Sequence, residues 1–184
     1  ANPHWGFRDP ALAWGCYGHR LGLYRKTVPH EGFGTLLRWA SGMRHGAFVF
    51  TSNVDGQFQK AGFPEGRVAE CHGSIHYLQC LRGCGEPIRS AVGVVVEVDA
   101  ASCRAREPFP TCPGCHGLAR PNILLFGDLG WDDARTSAQM ETLGDWLDGV
   151  VGPLVGLELG AGTSVPSVRT FSERAVQGTR RTLV

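Results

Sequence analysis

Thr51-Ser52-Asn53-Val54-Asp55-Gly56, followed by Glu70-Cys71-His72-Gly73-Ser74, decides how this chain reads. The apolar run Ala47-Phe48-Val49-Phe50 leads into the first stretch and reads as a buried strand cut off by a polar turn. Asn53 and Asp55 then sit at the carboxyl end of that strand, where open α/β sheets place their ligands. His72, next to a glycine and close behind such a turn, is a plausible general base. Taken alone, it is more simply a core or surface histidine.

Outward from this centre the chain alternates between helix and strand signals. Ala11 to Arg25 reads as a helix, with Leu12, Trp14, Tyr17, Leu21 and Tyr24 near helical spacing; Gly15, Gly18 and Gly22 count against it. Pro29 marks the next start, and Phe33, Leu36, Leu37, Ala40 and Met43 form one apolar helix face, which is core packing. Val68 to Glu70 is a short strand, and Ile75 to Cys80 alternates as a half-buried strand does. Val92 to Val98 predicts a strand from its β-branched residues. Ile123 to Phe126 and Leu154 to Leu159 predict two more buried strands. Trp131-Asp132-Asp133 opens a helix with acids at its positive end. Pro166 suits the first turn of the last helix, and Thr182-Leu183-Val184 reads as a closing strand. The alternation predicts an α/β fold, a Rossmann-like, doubly wound parallel sheet. Residues 74–120 break that rhythm. They predict a small zinc-binding module inserted between 1–73, a helical segment with the first part of the sheet domain, and 121–184, the second part.

Composition bounds the function. The chain has 184 residues, 42% hydrophobic and 19% charged, which suits one globular domain with a small insert. A net charge of +1 makes no electrostatic case for nucleic acid or an acidic membrane. No apolar run approaches the ~20 residues of a spanning helix, and no signal peptide opens the sequence. The first residue is Ala1 and not Met, consistent with loss of an earlier segment.

The cysteines carry the sharpest local signal. Cys80-x3-Cys84 and Cys112-x2-Cys115 each place two thiolates on one side of a tetrahedral metal, and together they close it. A closed four-cysteine site is structural, so one structural Zn2+ is expected. Zinc-spaced pairs within an odd total of seven cysteines favour a reducing, cytoplasmic setting over a disulfide framework. Cys112-Pro113-Gly114-Cys115-His116 also matches a c-type haem attachment site, a reading that leaves Cys80 and Cys84 unexplained. Cys71, Cys16 and Cys103 read as small packing residues. Gly160-x-Gly162 is by itself a weak dinucleotide fingerprint.

Taken together, these motifs resemble the sirtuins, the NAD-dependent protein-lysine deacylases. The family pattern is Thr-Gln-Asn-Ile-Asp-Gly, then His-Gly, then two cysteine pairs. Arg120-Pro121-Asn122-Ile123-Leu124-Leu125-Phe126-Gly127-Asp128 is similar to its Arg-Pro-x-Val-x-x-Phe-Gly-Glu, and Gly162-Thr163-Ser164 to its Gly-Thr-Ser. Ser52 stands where most sirtuins have Gln. The resemblance implies NAD held by Ser52, Asn53, Val54 and Asp55, with Asp55 at the nicotinamide carboxamide, and by Gly162, Thr163 and Ser164 on the adenosine side. It implies His72 and Asn53 as catalytic residues. An acyl-lysine protein or peptide would lie as an added strand between the loop after Phe126-Gly127-Asp128, with Phe126 and Gly127 binding it, and the loop after Ser164. The implied products are free lysine, nicotinamide and acyl-ADP-ribose.

Trp14-Gly15-Cys16-Tyr17-Gly18-His19-Arg20 resembles the helix of sirtuins that remove malonyl or succinyl groups, where Tyr-x-x-Arg binds the acyl carboxylate. Tyr17 and Arg20 are three apart and share a helix face. Two other readings use the same motifs: an NAD glycohydrolase or ADP-ribosyltransferase, and an inactive fragment folded around zinc. Nothing before Ala47 matches the Gly-Ala-Gly-x-Ser loop that cradles the NAD phosphates in the family. The expectation is that these residues alone bind NAD weakly and turn over poorly. Acyl preference, target and oligomeric state are left open.

Overall fold

The computed structural model describes residues 7–177 and 181–184. Helix α1 spans Pro10–Lys26, with the Asp9 carboxylate accepting from the Leu12 N–H and Pro10 in the first turn. At its far end Lys60 Nζ donates to the Arg25 and Thr27 carbonyls at 2.6 and 2.5 Å, satisfying acceptors that a helix leaves open. Helix α2, Glu31–Ser41, is capped by His30, whose Nδ1 accepts from Gly32. Ala40 is buried under it, whereas Met43 lies past its end and is exposed.

Strand β1 (Val49–Thr51) pairs in parallel with β2 (Val68–Glu70), and between them lie the short helix α3 (Gln57–Lys60) and a single tight turn at Glu65–Arg67. Then come β3 (Gly73–Cys80), β4 (Arg89–Ser90), β5 (Val98–Asp99), β6 (Arg104–Ala105) and β7 (Ala119–Ile123). Helix α4 (Ala134–Gly149) crosses back over β2. Strand β8 (Leu154–Gly156), helix α5 (Ser167–Ala175) and strand β9 (Arg181–Leu183) form a parallel β-α-β unit. The described residues thus carry two parallel pairs, β1–β2 and β8–β9, an antiparallel sheet ordered β4-β3-β7 and an antiparallel pair β5–β6. Among them no helix is long and apolar enough to cross a membrane.

Three expected strands differ in the structure: one is lost, one shifts and one shortens. Residues 92–97 form no strand: Gly93 turns at φ +80°, and Arg25 donates to the Ala91 and Val94 carbonyls at 2.7 and 2.6 Å. A side chain takes the acceptors that a sheet ladder would use, and Val92 and Val95 are left exposed. The strand expected at Ile123 to Phe126 instead covers Ala119–Ile123 and is antiparallel to β3. Pro121 is tolerated there because the β3–β7 register shifts between Ser74 and Leu78, beside its partner. Leu154 to Leu159 shortens to β8.

One core cluster joins Phe7, Trp14, Leu78, Ala91, Ala105 and Ala119. Helix α1 therefore packs on β5 and β6 of the cysteine-bearing segment and on β3 and β7 of the antiparallel sheet. Gly15 makes this possible: a Cβ there would meet the Cys103 carbonyl oxygen at 2.0 Å. A second cluster, Leu21, Ile75 and Ile123, lies beneath Val54. Cys16 and Cys103 are exposed; of the three cysteines read as packing residues, only Cys71 is partly buried.

Candidate functional site

The turn after β1 is built from its own polar groups. Thr51 Oγ1 accepts from Asn53 N at 3.1 Å, and Asp55 Oδ1 accepts from Gln57 N at 3.0 Å. Val54 turns toward the Leu21–Ile75–Ile123 cluster, and its carbonyl accepts from Ile75 N. Gly56 adopts φ +68°, and a Cβ there would meet the His76 ring at 2.7 Å. His76 Nε2 lies 2.9 Å from the Asp55 carbonyl, so this second histidine underpins the turn. Its place on β3 was not legible, because alternation along a strand does not say which turn lies above it.

Against this turn stands His72. It is half-buried, and burial holds its pKa below the usual 6.5, opposed by a weaker hydrogen bond to the Ser52 backbone. The imidazole is therefore neutral near neutral pH, as a general base requires. Its Nε2 lies 3.2 Å from Ser167 Oγ, at the start of α5. Ser167 had no sequence signal beyond following Pro166. The exposed Gly162–Ser164 loop precedes it by a few residues. Cys71, beside His72, lines a different groove with Phe50, Trp131 and Met140. Desolvation raises its thiol to about 11, so it is no nucleophile.

The donor set fits a polar cofactor. Asn53, Thr163 and Ser164 are exposed, and their side chains bond to nothing among the described residues. Two clefts lie elsewhere. A cleft of about 660 Å³ at the amino end of β1 is lined by Arg44, His45, Arg67 and Trp146, and a groove of about 570 Å³ runs past Cys71. Neither includes Asn53 or His72. In the first, Arg67 lies over the Trp146 ring at 5.8 Å. Chemistry, not volume, marks the site.

Phe126 and Gly127 lie on an exposed loop after β7, Phe126 at 76% exposure. Buried polar groups pin the base of that loop. Asn122 Nδ2 donates to Gln79 Oε1 and to the Asp132 carbonyl at 2.9 and 2.7 Å, and Gln79 Nε2 donates to the Gly130 carbonyl at 2.8 Å. Tyr17 stacks on Phe7 with 6.1 Å between ring centres, and burial raises its phenol. Arg20 is exposed, with no carboxylate partner among the described residues.

Cys80, Cys84, Cys112 and Cys115 converge, with all four sulfurs within 4.8 Å of one another. Cys80–Cys115 and Cys84–Cys112 are 3.6 and 3.5 Å apart. Tetrahedral zinc with ~2.3 Å bonds sets sulfurs about 3.8 Å apart, so the cluster fits the metal. Burial alone would raise Cys80, but backbone N–H groups of Cys84 and Arg82 and the neighbouring thiols lower it to about 6. A backbone hydrogen bond at Glu86 would lower Cys84, but the neighbouring thiols push it up to about 12, so one thiolate is favoured within the cluster and a second is not.

Parallel β-α-β units with a polar turn at the strand end, and a four-cysteine cluster between them, define a Rossmann-like α/β protein with a metal-binding insert. The comparisons give the family: the Sir2 family model matches residues 9–145, and the chain belongs to that family. An NAD-dependent protein deacylase of Aquifex aeolicus is 31% identical over 70% of this chain and 48% of its own length. One from Mycobacterium tuberculosis is 33% identical over 66% and 46%, and one from Pseudomonas aeruginosa 35% over 65% and 45%. The chain spans about half the length of these curated relatives. A solved Sir2 homologue in complex with 2'-O-acetyl ADP ribose superimposes with a TM-score of 0.60 at 20% identity, over 94% of this chain and 62% of that one. Sir2Tm bound to a propionylated peptide gives 0.55 at 21%, over 87% and 60%. At these identities the likeness concerns the fold: the sirtuin Rossmann-like α/β fold.

Proposed function

We propose that the chain is the core of an NAD-dependent protein-lysine deacylase. One observation carries this reading: a half-buried, neutral His72 stands against the Ser52–Asn53 turn on one side and the helix following Gly162–Ser164 on the other. NAD bound there supplies an electrophilic ribose carbon for the acyl oxygen of a modified lysine. Asn53 and Asp55 orient the nicotinamide riboside, with Ser52 and Val54 completing the turn, and Gly162, Thr163 and Ser164 meet the adenosine side. His72 accepts a proton at its imidazole from a reacting hydroxyl. The Phe126–Gly127 loop, anchored through Asn122 and Gln79, offers an edge to an extended peptide. The relatives named as protein deacylases, and the solved relative holding a propionylated peptide, support an acyl-lysine substrate.

The finer reading concerns the acyl group. Tyr17 and Arg20 present a phenol and an unpaired guanidinium from one face of α1, chemistry suited to a dicarboxylic acyl chain. Residues 74–120 act as a zinc-held module sealed by α1, in a reducing, cytoplasmic setting. Mass spectrometry of acetyl- and succinyl-lysine peptides incubated with NAD tests the function. Free lysine peptide with an acylated ADP-ribose product is expected. Nicotinamide release with the peptide left acylated would point to a glycohydrolase or ADP-ribosyltransferase, and no NAD binding in calorimetry to a zinc-folded fragment.

A further inference from the structure

The His72 imidazole meets two polar groups of the described chain, and the two differ in kind. The backbone hydrogen bond at Ser52 favours the protonated ring, which is what a carbonyl accepting from an imidazole N–H does, so the nitrogen turned to it carries a proton. The Ser167 hydroxyl, 3.2 Å from Nε2, can donate or accept. A half-buried imidazole in a desolvating site holds a single proton. With that proton committed to the carbonyl side, the remaining lone pair is free to take the hydroxyl's hydrogen.

We propose that Ser167 is the positioning residue of His72: its Oγ–H donates to Nε2 while Nδ1–H is turned to the Ser52 carbonyl. This holds the ring in one plane and one tautomer, with the accepting nitrogen toward the site. It rests on the reading of His72 as the base. A reacting hydroxyl that takes the place of Ser167 finds the Nε2 lone pair already aimed. Its O–H bond breaks, an N–H bond forms at Nε2, and Ser167 is released to solvent or substrate.

The packing of α5 makes the contact more than chance. Ser167 is 95 positions from His72 in sequence, so only tertiary structure brings them together. Phe171, one turn further along α5, stacks on Phe50 of β1 with ring centres 4.0 Å apart and planes 12° apart. Strand β1 is the strand that runs into Ser52. Both groups that hold the imidazole therefore ride on elements locked to the same strand. The positive end of α5 beside the ring also disfavours the imidazolium.

Two-bond proton–nitrogen correlation spectra of the histidine-labelled 184-residue chain test the proposal without turnover. Wild type should show His72 in the Nδ1–H form, the minor tautomer of free imidazole. Ser167→Val, which keeps the branched shape of threonine without its hydroxyl, should move His72 toward the Nε2–H form. Ser167→Thr should restore the wild-type pattern. Contacts between the Phe50 and Phe171 rings report whether α5 stays docked; if Ser167→Val undocks it, Ser167→Ala takes its place. An Nε2–H ring in wild type, or a hydroxyl-free variant identical to wild type, overturns the assignment. Tautomer control without NAD-dependent deacylation would sink the functional reading and leave this one standing.

Discussion

Arg120 and Asp128 form a two-pronged ion pair at 2.7 and 3.0 Å, their side chains 2% and 0% exposed. Arg120 Nε is buried without a partner, and among the described residues Asp128 is the only carboxylate paired with the guanidinium. The pair closes the loop that carries Phe126 and Gly127 back onto β7. Removing one member leaves an uncompensated buried charge, which costs roughly 3–5 kcal/mol. Asp128→Ala should therefore lower stability by about that amount in urea melts. The double variant Arg120→Met/Asp128→Leu should recover most of it, since a buried pair replaced by apolar groups is close to neutral. A double variant no better than the single would contradict this account.

Two glycines on α1 should respond with opposite signs. A methyl group at Gly22 would have nothing within 4 Å, so Gly22→Ala should stabilise by about 0.5–1 kcal/mol through helix propensity. Gly15 faces the Cys103 carbonyl at 2.0 Å, so Gly15→Ala should push α1 off β5 and β6 and cost about 1–3 kcal/mol. Thermal melting of both variants checks the contrast.

Zinc should hold the insert together. Metal binding at such clusters is coupled to folding. Cys112, 2% exposed, is the most buried of the four, and Cys112→Ala should lose the metal and lower the melting temperature. Elemental analysis that found full zinc content in that variant would refute the four-cysteine assignment.

The depressed pKa of His72 has a pH consequence. Its folded value lies below the unfolded 6.5, with burial the main cause. Between the two values the unfolded chain binds more protons, so stability rises with pH through that window. His72→Gln should flatten this slope and leave the rest of the profile in place. Denaturant midpoints measured across pH 6.5 decide it, and an unchanged slope in the variant would place the proton uptake elsewhere.

Arg20 should discriminate between acyl groups. On the proposed reading, the complete enzyme accepts dicarboxylic acyl-lysine at least as well as acetyl-lysine. Arg20→Met should cut desuccinylation by on the order of 10-fold, or ~1.4 kcal/mol, while sparing deacetylation. Equal losses in kcat/KM on both substrates would assign Arg20 to the fold.

What the sequence determined by itself is local. The apolar spacing of Trp14 and Leu21, the strand running into Asn53, and the two cysteine pairs depend on neighbours in the chain. Their periods and spacings are visible without coordinates. Family likeness rested on the same short motifs.

Tertiary structure decided where distant groups meet. Val92 to Val98 has every local mark of a strand, yet Arg25, 66 and 69 positions away, takes the Ala91 and Val94 carbonyls and bends the run into a loop. Arg120-Pro121-Asn122 lacks strand character, yet it pairs with β3 because its side chains are buried among Gln79, Asp128 and Asp132. His76 beneath Gly56 and Ser167 against His72 belong to the same class. Hydrogen bonds are satisfied by whichever partner the fold delivers, and burial makes leaving one unsatisfied costly. Spacing along the chain cannot name that partner.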